Sequence, residues 1–356
     1  MSPQAIAYAE LFVADQAEAV DYLSSCLGLV PVAVAGPETG TPDRRSTMLR
    51  NGAVTMLVTV GLDPDGPVAA YVERHGDSIA DLALASDDVQ SDFERATRAG
   101  AAALVPPRPS STTDDPAAYA VVSGFGELRH TLVAATDPAG IMPPDRRWSP
   151  LPDAELVPRD LLALDHVAVC LPAGSLRKTV AFYDAAFGTP YYSSEFIQVG
   201  DQAMDSIVVR NETGGITLTL IEPDPTRRPG QIDQFLTAHG GAGVQHLAFL
   251  VEDIVTRVGA LQSRGVDFLS TPETYYDMLE HRVGAMGDRI NDLRRTNVLV
   301  DRDSWGYLLQ LFTRAPHRGR TLFYELIQRD GARGFGSANI KALYEAVERS
   351  QQAAAR

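Results

Sequence analysis

The sequence predicts an α+β protein built from two copies of one strand–helix–strands unit, and three observations carry that expectation. An alternating apolar strand, an amphipathic helix and a glycine stop occur near the N-terminus and recur about 160 residues later. A proline-rich stretch without periodicity separates the two copies. The length of 356 residues suits about two domains.

The first copy opens with the strand Ile6–Val13, continues as a helix over Ala17–Leu27 and turns at Gly28 into a second strand. Further on, the segment His75–Ala83 leads into a helix that ends at Arg98-Ala99-Gly100. Pro106 to Pro116 reads as an exposed loop, and Asp137 to Pro158, with Pro143, Pro144, Pro150, Pro152 and Pro158, as a linker. The second copy repeats the order: strand Leu164–Cys170, helix Leu176–Ala186, stop at Gly188 and strand from Pro190. His239–Ala248 then answers His75–Ala83, and Ser263-Arg264-Gly265 ends the helix after it. A period of this length is too long for a solenoid, whose repeats are about 20–50 residues. The expected division is 1–150 and 151–356. At the C-terminus, Ile340, Leu343, Tyr344 and Val347 form the stripe of a helix over Asn339–Glu348, before a frayed tail.

Composition removes whole classes of function. Apolar residues make up 45% and charged residues 22%, as in globular proteins with a real core. The net charge of −15 offers nothing to nucleic acid or an anionic membrane. No apolar run approaches the roughly 18 residues of a membrane span, and Met1-Ser2-Pro3-Gln4 does not begin like a signal peptide. Two cysteines, Cys26 and Cys170, suit a reducing cytoplasm rather than a disulfide framework. The expectation is an acidic cytoplasmic enzyme or small-molecule binder.

Two of the seven histidines lie mid-strand in apolar surroundings. Alternation places His166 with Leu164, Ala168 and Cys170, and His246 with Val244 and Ala248. One such histidine is ordinarily a buried ring bonded to a carbonyl, but two on comparable strands of one repeat suggest a shared purpose. The first copy is an internal control, with Tyr8 and Asp81 at the matching places. Glu325, between Phe323 and Ile327 on a strand-like segment, is costly to bury unless paired or bound to a metal; a solvent-facing edge strand is the alternative. Together His166, His246 and Glu325 make the two-imidazole, one-carboxylate set of non-haem Fe(II) sites. Zinc could take the same ligands, but no organised zinc motif accompanies them.

At these residues a resemblance enters. Gly241-Ala242-Gly243-Val244-Gln245-His246, Thr271-Pro272-Glu273-Thr274-Tyr275-Tyr276 and Gly334-Phe335-Gly336-Ser337-Ala338-Asn339 resemble the hallmarks of 4-hydroxyphenylpyruvate dioxygenases and their close relatives, the 4-hydroxymandelate synthases. Both belong to the vicinal oxygen chelate superfamily. The resemblance implies two domains of paired βαβββ modules, the first without a metal. The second would be a half-open barrel holding Fe(II) on His166, His246 and Glu325, closed by a C-terminal lid helix. It further implies 4-hydroxyphenylpyruvate and O2 as substrates, oxidative decarboxylation, and either homogentisate or 4-hydroxymandelate as product. A homodimer is expected.

Two departures bear on the product. Ile340 stands where the dioxygenases carry Phe, and Thr219-Leu220-Ile221-Glu222-Pro223 stands where they read Pro-x-Asn-Glu-Pro. Both resemble the synthase pattern, whose product feeds 4-hydroxyphenylglycine for peptide antibiotics. Ser206, Gln231, Gln310, Phe312, Phe335, Asn339 and Tyr344 complete the expected substrate pocket, Ser206 near the phenol end and Phe335 in the lid. A ring-cleaving extradiol enzyme would need a further active-site histidine; none lies between His166 and His239, and His239 matches His75, so it reads as structural. A non-catalytic binder of the same fold would need no triad.

Overall fold

The computed structural model describes residues 2–109, 118–135, 143–152, 157–336, 338, 339 and 341. Strands β1 (Ala5–Phe12), β2 (Val30–Ala35), β3 (Arg44–Asn51), β4 (Val54–Gly61), β5 (Ser78–Ser86), β6 (Ala103–Arg108), β7 (Tyr119–Ser123), β8 (Arg129–Ala134) and β9 (Ser149–Pro150) form the first sheet. Helices α1 (Gln16–Leu27), α2 (Pro67–His75) and α3 (Val89–Arg98) connect them. The second sheet contains β10 (Ala163–Cys170), β11 (Tyr191–Val199), β12 (Gln202–Arg210), β13 (Thr217–Pro223), β14 (Gly243–Leu250), β15 (Leu299–Arg302), β16 (Tyr307–Phe312) and β17 (Phe323–Asp330). Its helices are α4 (Leu176–Phe187), α5 (Gln231–His239), α6 (Ile254–Gln262) and the short α7 (Glu273–Asp277), α8 (Leu279–Val283) and α9 (Arg289–Thr296).

Apart from β9, the two sheets have one strand order. The first runs β2-β3-β4-β1-β5-β8-β7-β6 and the second β11-β12-β13-β10-β14-β17-β16-β15. Parallel pairs β1·β4, β5·β8, β10·β13 and β14·β17 close four βαβββ modules. Antiparallel pairs β1·β5 and β10·β14 join the modules two by two. The first helices share their stops as well: α1 ends at Gly28 and α4 at Gly188, both left-handed, where a side chain would be strained.

The second sheet curls into a half-barrel. Val167, Val169, Leu218, Leu220, Leu247 and Phe249 face its helices and join one core with Tyr183, Phe187, Ile254 and Val258. The inner face carries Ala168, Cys170, Met204 and Ile221 on one side and Ala248, Leu308 and Ile327 on the other.

Two β-bulges decide what reaches that inner face. Pairing of β10 with β14 slips between Leu164 and His166 and again opposite Gln245, leaving Asp165 and Gln245 as extra residues. Simple alternation therefore fails here. Leu164 and Val244 pack with the outer core, whereas His166, Ala168, His246 and Ala248 turn inward. The first sheet has the same two slips, with Ala7 and Ala80 as the extra residues. Tyr8 pairs with Ala83 as His166 pairs with Ala248, and Glu10 pairs with Asp81 as Ala168 pairs with His246.

The first half-barrel fills its centre with its own charges. Glu10 and Asp81, each 1% exposed, meet Arg129, which bonds both carboxylates at 3.0 Å. Arg146 Nη1 donates to Glu10 Oε1 at 2.8 Å. Arg146 comes from the stretch read as a linker, which is more than a connector: β9 pairs with β2, and Trp148 lies under the Arg146 guanidinium. The stretch from Pro106 also needs correction, since Pro106 and Pro107 belong to edge strand β6; residues 110–117 are outside the described set. A sheet edge tolerates proline because no neighbour needs its missing N–H. His75 and His239 stack at 4.6 Å where the halves meet, His75 Nδ1 lying 2.7 Å from the His239 carbonyl.

Replacing Arg146 by Met should lower stability by about 3 kcal/mol, because Glu10 loses one of two cations inside the barrel. Burial favours protonated Glu10, yet Arg146 and Arg129 outweigh it and hold the carboxyl at about 2. Its contribution is therefore present above the unfolded carboxyl value and lost as pH falls toward 2. Urea unfolding and acid titration of Arg146→Met should show both the lower midpoint and loss of structure at higher pH.

Candidate metal centre

Three adjacent strands, β10, β14 and β17, supply His166, His246 and Glu325. His166 lies opposite Ala248, and Ala248 lies beside Glu325, so a small residue leaves room for the groups on either side to converge. Glu325 Oε2 is 3.4 Å from His166 Nε2 and 3.3 Å from His246 Nε2. The two Nε2 atoms are 3.4 Å apart, and all three residues are buried. A cation about 2.1 Å from three cis ligands sets them about 3 Å apart, so the donor set fits a first-row metal. Two imidazole nitrogens this close also need a proton or a cation between them.

The ligand set has its own supports. A carboxylate can only accept, so Gln310 Nε2 donates to Glu325 Oε1 at 2.7 Å. The Gln310 carbonyl then accepts from Asn339 Nδ2 at 3.0 Å, and Asn339 Oδ1 from the Tyr275 hydroxyl at 2.8 Å. The Glu325 charge thus sets the direction of the Gln310 amide, while the Asn339 amide lies between that Gln310 oxygen and the Val300 carbonyl. Gly336, at φ +74, lies so near Gln310 that a Cβ would collide with its carbonyl oxygen. Gly243 similarly makes room for the His239 ring. Aromatic rings wall the imidazoles: Phe323 stacks on His246 at 4.9 Å, Phe312 meets it edge-on, and Phe335 meets His166 edge-on.

Charges at the centre are strongly coupled. Burial alone would lower the His166 imidazole, but Glu325 and Asp165 outweigh it and raise it to about 9. Burial would raise Glu325, yet the two imidazoles hold it at about 2. His246 is pushed down by burial and by the neighbouring His166. Without a metal, one proton therefore sits on His166 and stands where a cation would compete for the same lone pair.

The other expected pocket residues spread away from this point. Gln310, Phe312, Phe335 and Asn339 surround the three ligands as described. Thr219 lies beside Ala168, whose other neighbour is His246, and Ile221 lies beside Cys170 and opposite Ser206. The Thr219 hydroxyl is buried without a partner. Gln231 begins α5 and lines a shallow cleft with Met204, Ile197 and Ile232, and the three ligands are not part of its lining. Ile340, Tyr344 and the helix expected over Asn339–Glu348 fall outside the described residues, apart from Asn339 and Lys341. Asp165 and Arg329 were missed: Asp165 Oδ1 lies 2.9 Å from His166 Nδ1, and Arg329 bonds both Asp165 oxygens. An aspartate beside a buried strand histidine was the available signal.

With this geometry in place, likeness to known proteins becomes informative. Residues 5–142 and 163–311 both match the glyoxalase/bleomycin resistance protein/dioxygenase superfamily. The chain belongs to that superfamily. Within the superfamily, it is 32% identical to 4-hydroxyphenylpyruvate dioxygenase from Pyricularia oryzae over 96% of this chain and 88% of the relative. It is also 32% identical to the enzyme of that name from Aspergillus fumigatus, over 96% and 91%. Its structure superposes on a triple mutant of 4-hydroxymandelate synthase from Streptomyces coelicolor with a TM-score of 0.93. That pair is 63% identical over 99% of this chain and all of the other. Superfamily members with a metal need their ligands deprotonated to bind it.

Metal uptake below pH 9 should therefore expel about one proton per site, and affinity should rise roughly tenfold per pH unit between 6 and 8. Co(II) titrations in weakly buffered solution measure both; an affinity flat across that range contradicts the assignment. Glu325→Ala should abolish tight binding and turnover together.

Proposed function

We propose that this chain is an Fe(II)-dependent oxygenase that converts 4-hydroxyphenylpyruvate and O2 into 4-hydroxymandelate and CO2. The observation that carries it is the buried His166–His246–Glu325 set in a fold 63% identical to a 4-hydroxymandelate synthase. Fe(II) bound there would supply redox chemistry and open positions for the oxygens of a 2-oxo acid and for O2. The substrate brings its own 2-oxo acid, so no second one is needed. One atom of O2 completes the new carboxylate, and the other becomes the benzylic hydroxyl.

The protein's part is to hold, cover and aim. His166, His246 and Glu325 occupy one side of the centre, and Gln310 keeps the second Glu325 oxygen turned away from it. Phe312, Phe323 and Phe335 keep water from the reacting carbon. The aromatic ring of the substrate fits along the inner face, past Ala168 toward Ile221 and Ser206, with the unpartnered Thr219 hydroxyl facing that path. Benzylic rather than ring oxidation then follows from where the ring is held. Thr219, Ile221, Gln231 and Asn339 are the residues we assign to that choice, with Ile340 and Tyr344 added from the family resemblance alone.

The reading also includes a metal-free unit of residues 1–150, a catalytic unit of 151–356, a homodimer, a cytoplasmic setting and a place in peptide-antibiotic supply. The two matched segments and the two like-ordered sheets support the division. Among the described residues, no helix is long and apolar enough to cross a membrane.

The test is a product assay with Fe(II), 4-hydroxyphenylpyruvate and air. Homogentisate and 4-hydroxymandelate are isomers, so NMR must identify the acid: a benzylic CH–OH signal is expected, and a third ring substituent would make the enzyme a dioxygenase of the homogentisate type. Ile340→Phe should divert part of the product toward ring oxidation; an unchanged product removes Ile340 from the account.

A further inference from the structure

The two bulges that aim the histidines also bring polar side chains beside them. Asp165 is the extra residue before His166 and offers Oδ1 to His166 Nδ1 at 2.9 Å. Gln245, the extra residue before His246, offers a neutral amide oxygen at 3.3 Å. In the first sheet, where no histidine needs aiming, the same two positions hold Ala7 and Ala80. The scaffold thus tolerates alanine at both bulges, and the polar residues at the second pair call for another explanation.

Asp165 is in turn gripped by a fork. Arg329 Nε donates to Oδ2 at 2.7 Å and Nη2 to Oδ1 at 2.8 Å. The remaining Nη1 donates to the carbonyls of Gly334 at 2.7 Å and Ala332 at 3.3 Å, in the turn that carries Phe335. The guanidinium lies 5.1 Å over the Phe335 ring, and that ring stands 5.2 Å from the His166 ring. The contacts form a closed loop: His166, Asp165, Arg329, the 332–335 turn, Phe335 and back to His166.

We infer that Asp165 and Arg329 are positioning residues that couple the seating of Phe335 to the aim of the His166 ligand. Asp165 keeps the proton on Nδ1, so the Nε2 lone pair points at Glu325 and His246. Arg329 fixes that carboxylate and, with the same planar group, holds the turn that lays Phe335 against the imidazole. When the turn lifts, Arg329 loses two carbonyl partners and its ring contact, and the support of His166 loosens with it. The inference rests on the metal-centre reading, and its test does not depend on which product forms.

The experiment is Co(II) binding to the metal-free full-length chain, by competition with a chromophoric chelator, with the visible Co(II) spectrum and the metal-free melting temperature recorded for each variant. Asp165→Asn keeps size and an acceptor oxygen but removes the charge. It should bind Co(II) about 10–100-fold more weakly, with an altered spectrum and a loss of affinity larger than its lowered melting temperature accounts for. Arg329→Gln, which touches no ligand, should weaken binding in the same direction, and Arg329→Lys should recover only part of the loss. Combining Asp165→Asn with Arg329→Gln should cost less than the sum of the two. Affinities within twofold of the parent, or losses that merely track melting temperature, would reduce the pair to a structural latch. If Asp165→Asn does not fold, the two Arg329 variants decide the matter alone. A parent chain that binds no Co(II) would instead remove the metal-centre reading.

Discussion

A carboxylate buried to 1% exposure at the middle of a strand is a debt that the surrounding structure must settle, and Glu325 organises this half of the molecule for that reason. Its two oxygens are treated differently. Oε2 faces two imidazoles, and Oε1 accepts from Gln310. From Gln310 the contacts continue through Asn339 to Tyr275, whose hydroxyl also lies 2.7 Å from the Val300 N–H. One charge therefore orients the Gln310 amide on β16, and the contacts that continue from it reach past the glycine-rich turn to Tyr275, which joins α7 to β15. Those elements are held where a substrate pocket needs rigid walls.

The duplication lets the same problem be seen solved twice. Both sheets have one strand order and the same pair of bulges, and in both the centre gathers acidic groups away from water. In the first half the compensating cations are covalently part of the chain, Arg129 and Arg146. In the second, Phe323 occupies the register position of Arg129 and stacks on His246, and among the described residues no arginine bonds Glu325; Arg329 meets Asp165 instead. A half-barrel whose charge is met by its own arginines is a closed structural core. One whose charge is left for a mobile cation is a place where chemistry can happen.

How much of this could be read from the sequence depended on whether local pattern or tertiary packing decided each feature. The strand–helix–glycine rhythm was legible because Gly28 and Gly188 stop their helices by backbone conformation alone. His166, His246 and Glu325 stood out because ionisable groups in apolar strands carry an energetic cost visible without coordinates. Alternation misplaced Leu164 and Val244, since a single extra residue at a bulge reverses the face and leaves no mark in composition. Arg146 was hidden in a proline-rich stretch, because what it neutralises, Glu10, is over a hundred residues away. The Asp165–Arg329 fork spans a similar distance, so the aspartate beside His166 was readable and its partner was not.

The placement of Arg146 has a practical meaning for anyone dividing the molecule. The first superfamily match ends at residue 142, four positions short of the arginine that enters the first barrel. A fragment trimmed to the matched segment would lack both that plug and the β9 strand that extends the sheet edge. Its interior would hold a surplus of negative charge with a single arginine to meet it. A boundary drawn by similarity and one drawn by electrostatics differ here, and a cut made after β9 respects both.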